Sequence, residues 1–498
     1  MNYNSSPEKQ SIGLLNNWLN SDSFYTSSLL KDSERIQKIA DEKALNLFHL
    51  AARKVPAYMN FLKKKAIDHE KITTIDDFKL VPPTTKENYI DSYSFGEKCW
   101  DGAIAGMHMI STSSGTTGVP YFWSRDLQAV IEGASMHELF LKYMYEANKK
   151  STLLLNGFAL GRWIAGTFTL ECLDLLTWKG YPIVSMTPGY DAQAVLEVIQ
   201  SLPYTFDQII ITGFVPFLKE LAELFVAKKI NTRKLHIYFL GTGQGITENW
   251  REYVRNLIGN TDPNAVINLY GSADAALMGI ETPLSIDIRK KIVPSVYKDF
   301  FGENRLPSLY NFDPRLTYFE SVDGELHSTK YSGIPLIRYN MHDKGGIIPF
   351  KQMDDLLSQH AIETSPALDW KLPFVYLFGR DKFMVKIYGA NVYGEHVAHA
   401  LGHEKLQKLI SGKYHLELEY DDKENPIMTC KIELNHNIQE NEELKKLIEE
   451  IFIEEVAKLN SEYRHVLNTL GNKVKPKILL YEHGHKDYFP RNVVKKTS

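Results

Sequence analysis

Three features of the chain predict an α/β fold built on a largely parallel sheet. From about residue 150, short apolar runs alternate with helical stretches. Several of those runs end on glycine-containing turns, and the character of the sequence changes near Phe378. Strands that alternate with helices need crossover connections, which bury the sheet on both faces. In such sheets ligands bind beyond the carboxyl ends of the strands.

In chain order, residues 1–70 read as largely helical, most clearly at Ala44–Ala51, where Leu47, Leu50 and Ala51 fall at i, i+3 and i+4. Val81-Pro82-Pro83 reads as a turn. In Thr84-Thr85-Lys86-Glu87 a threonine can cap a helix starting near Lys86. The runs Thr152–Leu155, Gln208–Thr212, Leu235–Leu240 and Ala265–Tyr270 read as strands; Ala192–Leu202, Pro216–Lys228 and Glu248–Ile258 read as helices. The stretch Phe378-Gly379-Arg380-Asp381-Lys382 is polar and hinge-like, and we set a domain boundary at about 380. Beyond it, Leu444, Leu447, Ile448, Ile451, Phe452, Val456 and Leu459 keep helical spacing, so one long amphipathic helix is expected. Acidic residues around Glu440–Glu455 read as its solvated face. No internal repeat is visible.

Composition excludes several classes. The 498 residues are 44 % hydrophobic and 24 % charged, which argues against disorder or low complexity and suggests two or three domains. A net charge of −4 leaves no electrostatic footprint for nucleic acid. The cysteines, Cys99, Cys172 and Cys430, are three and far apart. They exclude a disulfide framework or Cys-rich zinc module and suit a reducing compartment. The start of the chain lacks the pattern of a secretory signal and no run of 18 apolar residues occurs, so the expectation is a cytoplasmic protein without a membrane partner.

The most informative stretch is Ser111-Thr112-Ser113-Ser114-Gly115-Thr116-Thr117-Gly118-Val119-Pro120, entered from Met109 and Ile110. Glycines let backbone amides turn inward as an anion-binding nest, and hydroxyls add donors, a chemistry suited to phosphate oxygens. No Gly-Lys-Ser/Thr follows at Walker spacing. On composition alone a flexible Ser/Gly/Thr linker is the lesser alternative reading.

Ser113–Pro120 resembles the phosphate loop of the adenylate-forming superfamily of acyl-CoA synthetases, adenylation domains and beetle luciferases. Tyr270-Gly271-Ser272-Ala273-Asp274 resembles its Tyr-Gly-x-Thr-Glu motif. Arg338-Tyr339-Asn340-Met341-His342-Asp343 is similar to the Arg-Tyr-x-x-x-Asp segment of the phenylacetate-CoA ligase-like branch, as is the stretch Phe78–Lys86. Gly379-Arg380-Asp381-Lys382, with Gly389, resembles the hinge motif, and Pro490–Lys496 the Pro-x-Thr-x-x-Gly-Lys motif near the end of the chain. The resemblance implies a large N-terminal domain (1–380) with mixed, largely parallel sheets and helices. A small α+β C-terminal domain (381–498) would swing about a hinge at Lys382.

The resemblance also implies roles. Ser113, Ser114, Gly115, Thr116, Thr117 and Gly118 would hold the β- and γ-phosphates of ATP, with Thr116 and Thr117 as hydroxyl donors and Thr117 counted among the catalytic groups. Gly241, Thr242 and Gly243 would lie against the adenine, and Tyr270, followed by Gly271 and Ser272, would stack on it. Asp274 stands where the family has a Glu that binds Mg²⁺, and Ala273 where it has Thr. Asp343 would accept from the ribose hydroxyls and Arg380 would reach ribose or phosphate. Lys496 would neutralise charge on the α-phosphate and the attacking carboxylate, although a loop one residue shorter would give that role to Lys495. The acyl pocket would lie near Phe158, Trp163 and Phe214, with Arg162 beside it; core aromatics and a solvated arginine are an equal reading.

The implied activity is ATP-dependent activation of an aryl or acyl carboxylic acid to an acyl-adenylate, followed by transfer to coenzyme A. The alternatives are transfer to a protein thiol or an amine, or a nucleotide-binding homologue that has lost catalysis. His396, His399 and His403 fall at i, i+3 and i+7 and could share a helix face and bind zinc, but spacing alone is a weak signal. A Gly-x-Ser-x-Gly elbow is absent, and the last glycine of Gly241–Gly245 comes one residue early for Gly-x-Gly-x-x-Gly.

Overall fold

The computed structural model describes residues 7–21, 25, 27–112, 121–202, 204–364, 368–379, 384–388, 390–421 and 426–490. Strands β1 (Met107–Thr112) and β2 (Phe122–Asp126) form an antiparallel hairpin with Thr112 opposite Phe122. The main sheet follows. Its strands are β3 (Thr152–Asn156), β4 (Ile183–Met186), β5 (Gln208–Phe214), β6 (Ile237–Thr242), β7 (Val266–Ser272), β8 (Ala276–Ile280), β9 (Ser308–Asn311), β10 (Tyr318–Val322), β11 (Glu325–Lys330), β12 (Leu336–Ile348) and β13 (Phe374–Gly379). They lie in the order 10-11-12-13-9-8-7-6-5-3-4.

The neighbours from β4 through β3, β5 and β6 to β7 run parallel, as the alternation predicts. Their sequences, Leu153-Leu154-Leu155 in β3 and Ile209-Ile210-Ile211 in β5, are apolar without alternation because helices cover both faces. The crossover helices Ala192–Ser201, Val215–Ala227 and Glu248–Ile258 lie within about two residues of their expected bounds. Asp191 and Thr247 cap two of them by accepting from Ala194 N and Trp250 N.

Beyond β7 the sheet turns antiparallel. Two of the links there are too short for a crossover: Ala273–Ala275 joins β7 to β8, and Asp323-Gly324 joins β10 to β11. The sheet is therefore mixed, with its parallel half at residues 152–272. The helix expected near Lys86 is a single turn, Lys86–Ile90, capped by Thr85 with Asn88 returning the bond. Thr84 leaves that turn and bonds to β12. Phe378 and Gly379 end β13, so the hinge-like stretch begins inside the sheet. Arg380, Asp381 and Lys382 lie outside the described residues.

From residue 384 the elements change. A hairpin of β14 (Met384–Ile387) and β15 (Ala390–Tyr393) precedes a sheet of β16 (Ile410–Tyr420), β17 (Pro426–Leu434) and β18 (Lys477–Tyr481), the last two parallel. Helix Glu442–Leu459 buries Leu444, Ile448, Ile451, Phe452 and Val456, close to the expected face. This region has its own apolar core, drawn from residues between Val385 and Leu480. His403 falls beyond the end of helix Gly394–Leu401. His396 is buried against Asn460, and His399 pairs with Glu455. The three histidines therefore do not share a helix face. Among the described residues no helix is long and apolar enough to cross a membrane.

A buried charge network fixes β7. Arg251 donates to Glu281 Oε1 (2.8 Å) and to Val266 O (2.6 Å), Arg289 donates to Glu281 Oε1 (3.2 Å) and Glu248 Oε1 (2.8 Å), and Glu281 Oε2 accepts from Asn268 N (2.6 Å). Glu281→Ala removes the anion shared by two desolvated guanidinium groups, and such deletions cost about 3–5 kcal/mol. Denaturant titration should show a loss of that size. His137 is buried with Nδ1 2.8 Å from Gly133 O, and burial pulls its pKa down to about 4. The folded value lies below the unfolded value of about 6.5, so stability is complete above about pH 6.5 and falls as the pH drops towards 4. His137→Met should flatten that acid limb in unfolding measured against pH.

Candidate active site

The carboxyl ends of the parallel strands form one edge, and most described candidate residues lie along it. Neighbouring registers align Asn156 of β3 with Thr212 of β5, Phe214 with Thr242 of β6, and Gly241 with Asn268 of β7. Asn156 Nδ2 donates to Gly166 O (2.7 Å), and Thr212 Oγ1 donates to Asn156 Oδ1 (3.3 Å). These bonds fix the turn that carries Phe158, which is buried. Phe214 sits where a side chain on Gly243 would be. A Cβ there would come within 2.6 Å of its ring, and Gly243 has φ +94°, so both space and backbone require glycine. Asn268 holds the glycine stretch from below by donating to Gln244 O (2.9 Å) and Tyr310 Oη (3.0 Å), while Thr242 Oγ1 donates to Leu269 O (2.8 Å).

Tyr270 Oη donates to Asp343 Oδ2 at 2.9 Å, joining two motifs that are distant in sequence. Burial first, and the Asp343 carboxylate second, push the phenol well above its usual range, so it remains the donor. The ring lies in a row with Tyr310 (5.7 Å between centroids, 27°) and Phe319 (6.1 Å, 19°) and is 7 % exposed. Tyr270 thus belongs to the aromatic core as well as to the strand end. Ser272 Oγ accepts from Ala275 N (3.1 Å) and shapes the turn that carries Asp274, which is buried.

The motif around Asp343 divides into scaffold and site. Arg338 donates to Glu320 Oε2 (2.9 Å) and to Val81 O, and Tyr339 packs edge-on against Trp123. Thr84 Oγ1 donates to Ile337 O (2.9 Å), Thr84 N to Arg338 O (3.2 Å), and Asn340 N to Thr84 O (2.8 Å). The stretch ending Pro-Pro-Thr-Thr-Lys therefore runs as a short parallel partner of β12. Lys344 pairs with Gly379, which sets the start of the hinge-like stretch beside Asp343.

Ser113, Ser114, Gly115, Thr116, Thr117 and Gly118, which fall between β1 and β2 in sequence, lie outside the described residues, as do Arg380, Lys382, Lys495 and Lys496. The base of that loop is described. Thr112 N donates to Arg162 O (2.9 Å), and Thr112 bridges to Trp163. The Arg162 guanidinium lies 5.0 Å from the Trp163 ring.

Sequence reasoning missed Arg125. Its guanidinium is 1 % exposed and donates from Nη1 to Ser111 Oγ (2.7 Å) and from Nη2 to Ala273 O (2.7 Å) and Asp274 O (3.3 Å). It also faces the Phe168 ring at 5.5 Å. Burial pulls its pKa down to about 10, with Asp274 opposing, so it stays charged at neutral pH. One cation therefore locks the base of the glycine-rich loop to the turn after Tyr270. Nothing in Trp123-Ser124-Arg125-Asp126 signals this, because its partners are a hydroxyl and two main-chain carbonyls.

No family model and no curated protein matches the sequence. Solved structures do. The chain is similar to a 2-hydroxyisobutyryl-CoA ligase in the postadenylation state with R3-HIB-AMP, at 13 % identity over 93 % of this chain and 88 % of that one, with a TM-score of 0.65. This chain has the fold of that ligase. The same ligase with 2-HIB-AMP and CoA in the thioesterification state matches at 14 % identity over 93 % and 88 %, with a TM-score of 0.52. The acyl acid amido synthetase AtGH3.15 in complex with 2,4-DB matches at 15 % identity over 100 % of this chain and 96 % of that one, with a TM-score of 0.55.

Arg125→Met should lower stability by about 2–3 kcal/mol, the scale of lost charged hydrogen bonds, in chemical denaturation. Arg125→Lys should recover only part of that, since a point charge cannot span Ser111 and both carbonyls.

Proposed function

We propose that this chain is an ATP-dependent ligase that activates a carboxylic acid as its acyl-adenylate, releases pyrophosphate and passes the acyl group to coenzyme A. The observation that carries the reading is the 2.9 Å contact of Tyr270 with Asp343 beside Gly241–Gly243. It joins two motifs of an adenylate-forming site at the edge where open α/β sheets bind ligands. In this reading the adenine lies between the glycine stretch and the Tyr270 segment, and the ribose hydroxyls donate to Asp343.

The carboxylate of the acid attacks the α-phosphorus and pyrophosphate leaves. Positioning and charge stabilisation supply most of the catalysis in such a step. The amides and hydroxyls of Ser113–Gly118 hold the leaving phosphates, and Lys496, or Lys495, offsets charge at the α-phosphate. The donor set fits Mg²⁺, which takes one or two carboxylates and completes its shell with phosphate and water. Asp274 would hold it, and the ion would neutralise phosphate charge. Phe158, Trp163 and Phe214 flank the same edge and are assigned to the acyl pocket.

We also propose a boundary at 380, with residues 381–498 as a mobile domain turning about Lys382. The separate apolar core beyond residue 384 supports this. The three buried free thiols suit a cytoplasmic location. Transfer to an amine is the second reading, favoured by the full-length likeness to the amido synthetase.

ATP–pyrophosphate exchange with a panel of aryl and fatty acids tests the activity. The expected result is exchange with at least one acid, and none with any acid while ATP still binds would overturn it. Stimulation of AMP release by coenzyme A rather than by amines decides the acceptor. Lys496→Ala should abolish exchange with ATP affinity nearly unchanged. Asp343→Ala should weaken ATP binding at least tenfold, the scale of a lost hydrogen bond to a charged group.

A further inference from the structure

Outside that edge, Glu220, His436 and His483 meet on the seam between helix Val215–Ala227 and the sheet β16–β18. One ligand atom from each lies within 4.8 Å of the other two. The seam is built. Lys219, next to Glu220 and buried, donates to Ile410 O at 2.8 Å, and Asn435 Nδ2 donates to Glu223 Oε1 at 3.4 Å. His436 follows β17 and brings Nε2 to 3.7 Å from Glu220 Oε1. His483 follows β18, and its ring centroid is 3.7 Å from that of His436, tilted by 34°.

Two polar atoms beside the cluster lack hydrogen-bond partners among the described residues, His483 Nδ1 and Glu433 Oε2. They are 3.9 Å apart, Glu433 is fully buried, and Lys413 Nζ lies 3.2 Å from the same oxygen. Glu433 is thus compensated by Lys413, and His483 Nδ1 faces the same carboxylate.

Two imidazoles and one carboxylate are a borderline-hard donor set suited to zinc with water in the fourth place. Glu433 stands where a carboxylate would orient a ligating histidine. We propose that Glu220, His436 and His483 bind a Zn²⁺ ion that clasps helix Val215–Ala227 to the C-terminal sheet. Zinc bonds of about 2.0–2.1 Å bring ligand atoms to about 3.3 Å from one another. The set must therefore contract from its present limit, and His436, exposed on the surface, can turn to do so. The clasp uses none of the adenylation site's residues, and because it bridges the two sides of the boundary at 380 it would hold the C-terminal part in this one orientation.

The test is zinc titration of the full-length, chelator-treated protein against a chromophoric chelator, with Co²⁺ as a spectroscopic substitute. Expected are one tight equivalent, the visible d–d spectrum of a four-coordinate ion, and a zinc-dependent rise in melting temperature. His436→Ala and Glu220→Gln, both at accessible positions, should keep the native circular dichroism and each lose at least tenfold in affinity. Equal binding by either variant and the wild type overturns the clasp, as does a wild type with no tight equivalent. Loss in His436→Ala with no change in Glu220→Gln means an ion held by the sheet alone, which also contradicts it.

Discussion

The Arg125 guanidinium is the cation on which the geometry of the candidate site depends. Removing a guanidinium from water is expensive, and the cost is offset here by Ser111 Oγ and the carbonyls of Ala273 and Asp274. Those acceptors lie on two pieces of chain that share no strand pairing, hairpin β1–β2 and the link from β7 to β8. A fork of donors in one plane fixes their separation as a single ammonium could not. The base of the glycine-rich loop therefore holds its place relative to Tyr270 and Asp274 without a covalent tie.

Around that contact the fold sorts stiffness from access. The network of Arg251, Glu281, Arg289 and Glu248 clamps β7 from behind, and Asn268 extends the clamp to the glycine stretch. Thr84 and Arg338 do the same for β12, so that Asp343 reaches Tyr270 from a supported strand. Each pairing is buried and local, which agrees with a net charge of only −4: an anionic ligand would be met by oriented donors and a few cations rather than by a global field.

The parallel half of the sheet was legible because buried strands and crossover helices differ in period. Ile209–Ile211 and the helix Glu248–Ile258 each carry their own signal. The antiparallel half was less so, since strand composition does not give direction and only some reversals, such as Asp323-Gly324, are marked by a tight turn. Gly243, Tyr270 and Asp343 could be picked out by motif, but their mutual distances depend on pairing across the whole sheet. Motif reading also could not separate Asp343, at the edge, from Arg338 and Tyr339, which are scaffold. Arg125 was invisible, because main-chain acceptors leave no mark on composition.

The most direct test is an experimental structure of the full-length protein with AMP bound. The account predicts the adenine between Gly241–Gly243 and the Tyr270 segment, and both ribose hydroxyls on Asp343. AMP bound elsewhere, or bound at that edge with Asp343 making no contact to the ribose, would contradict it.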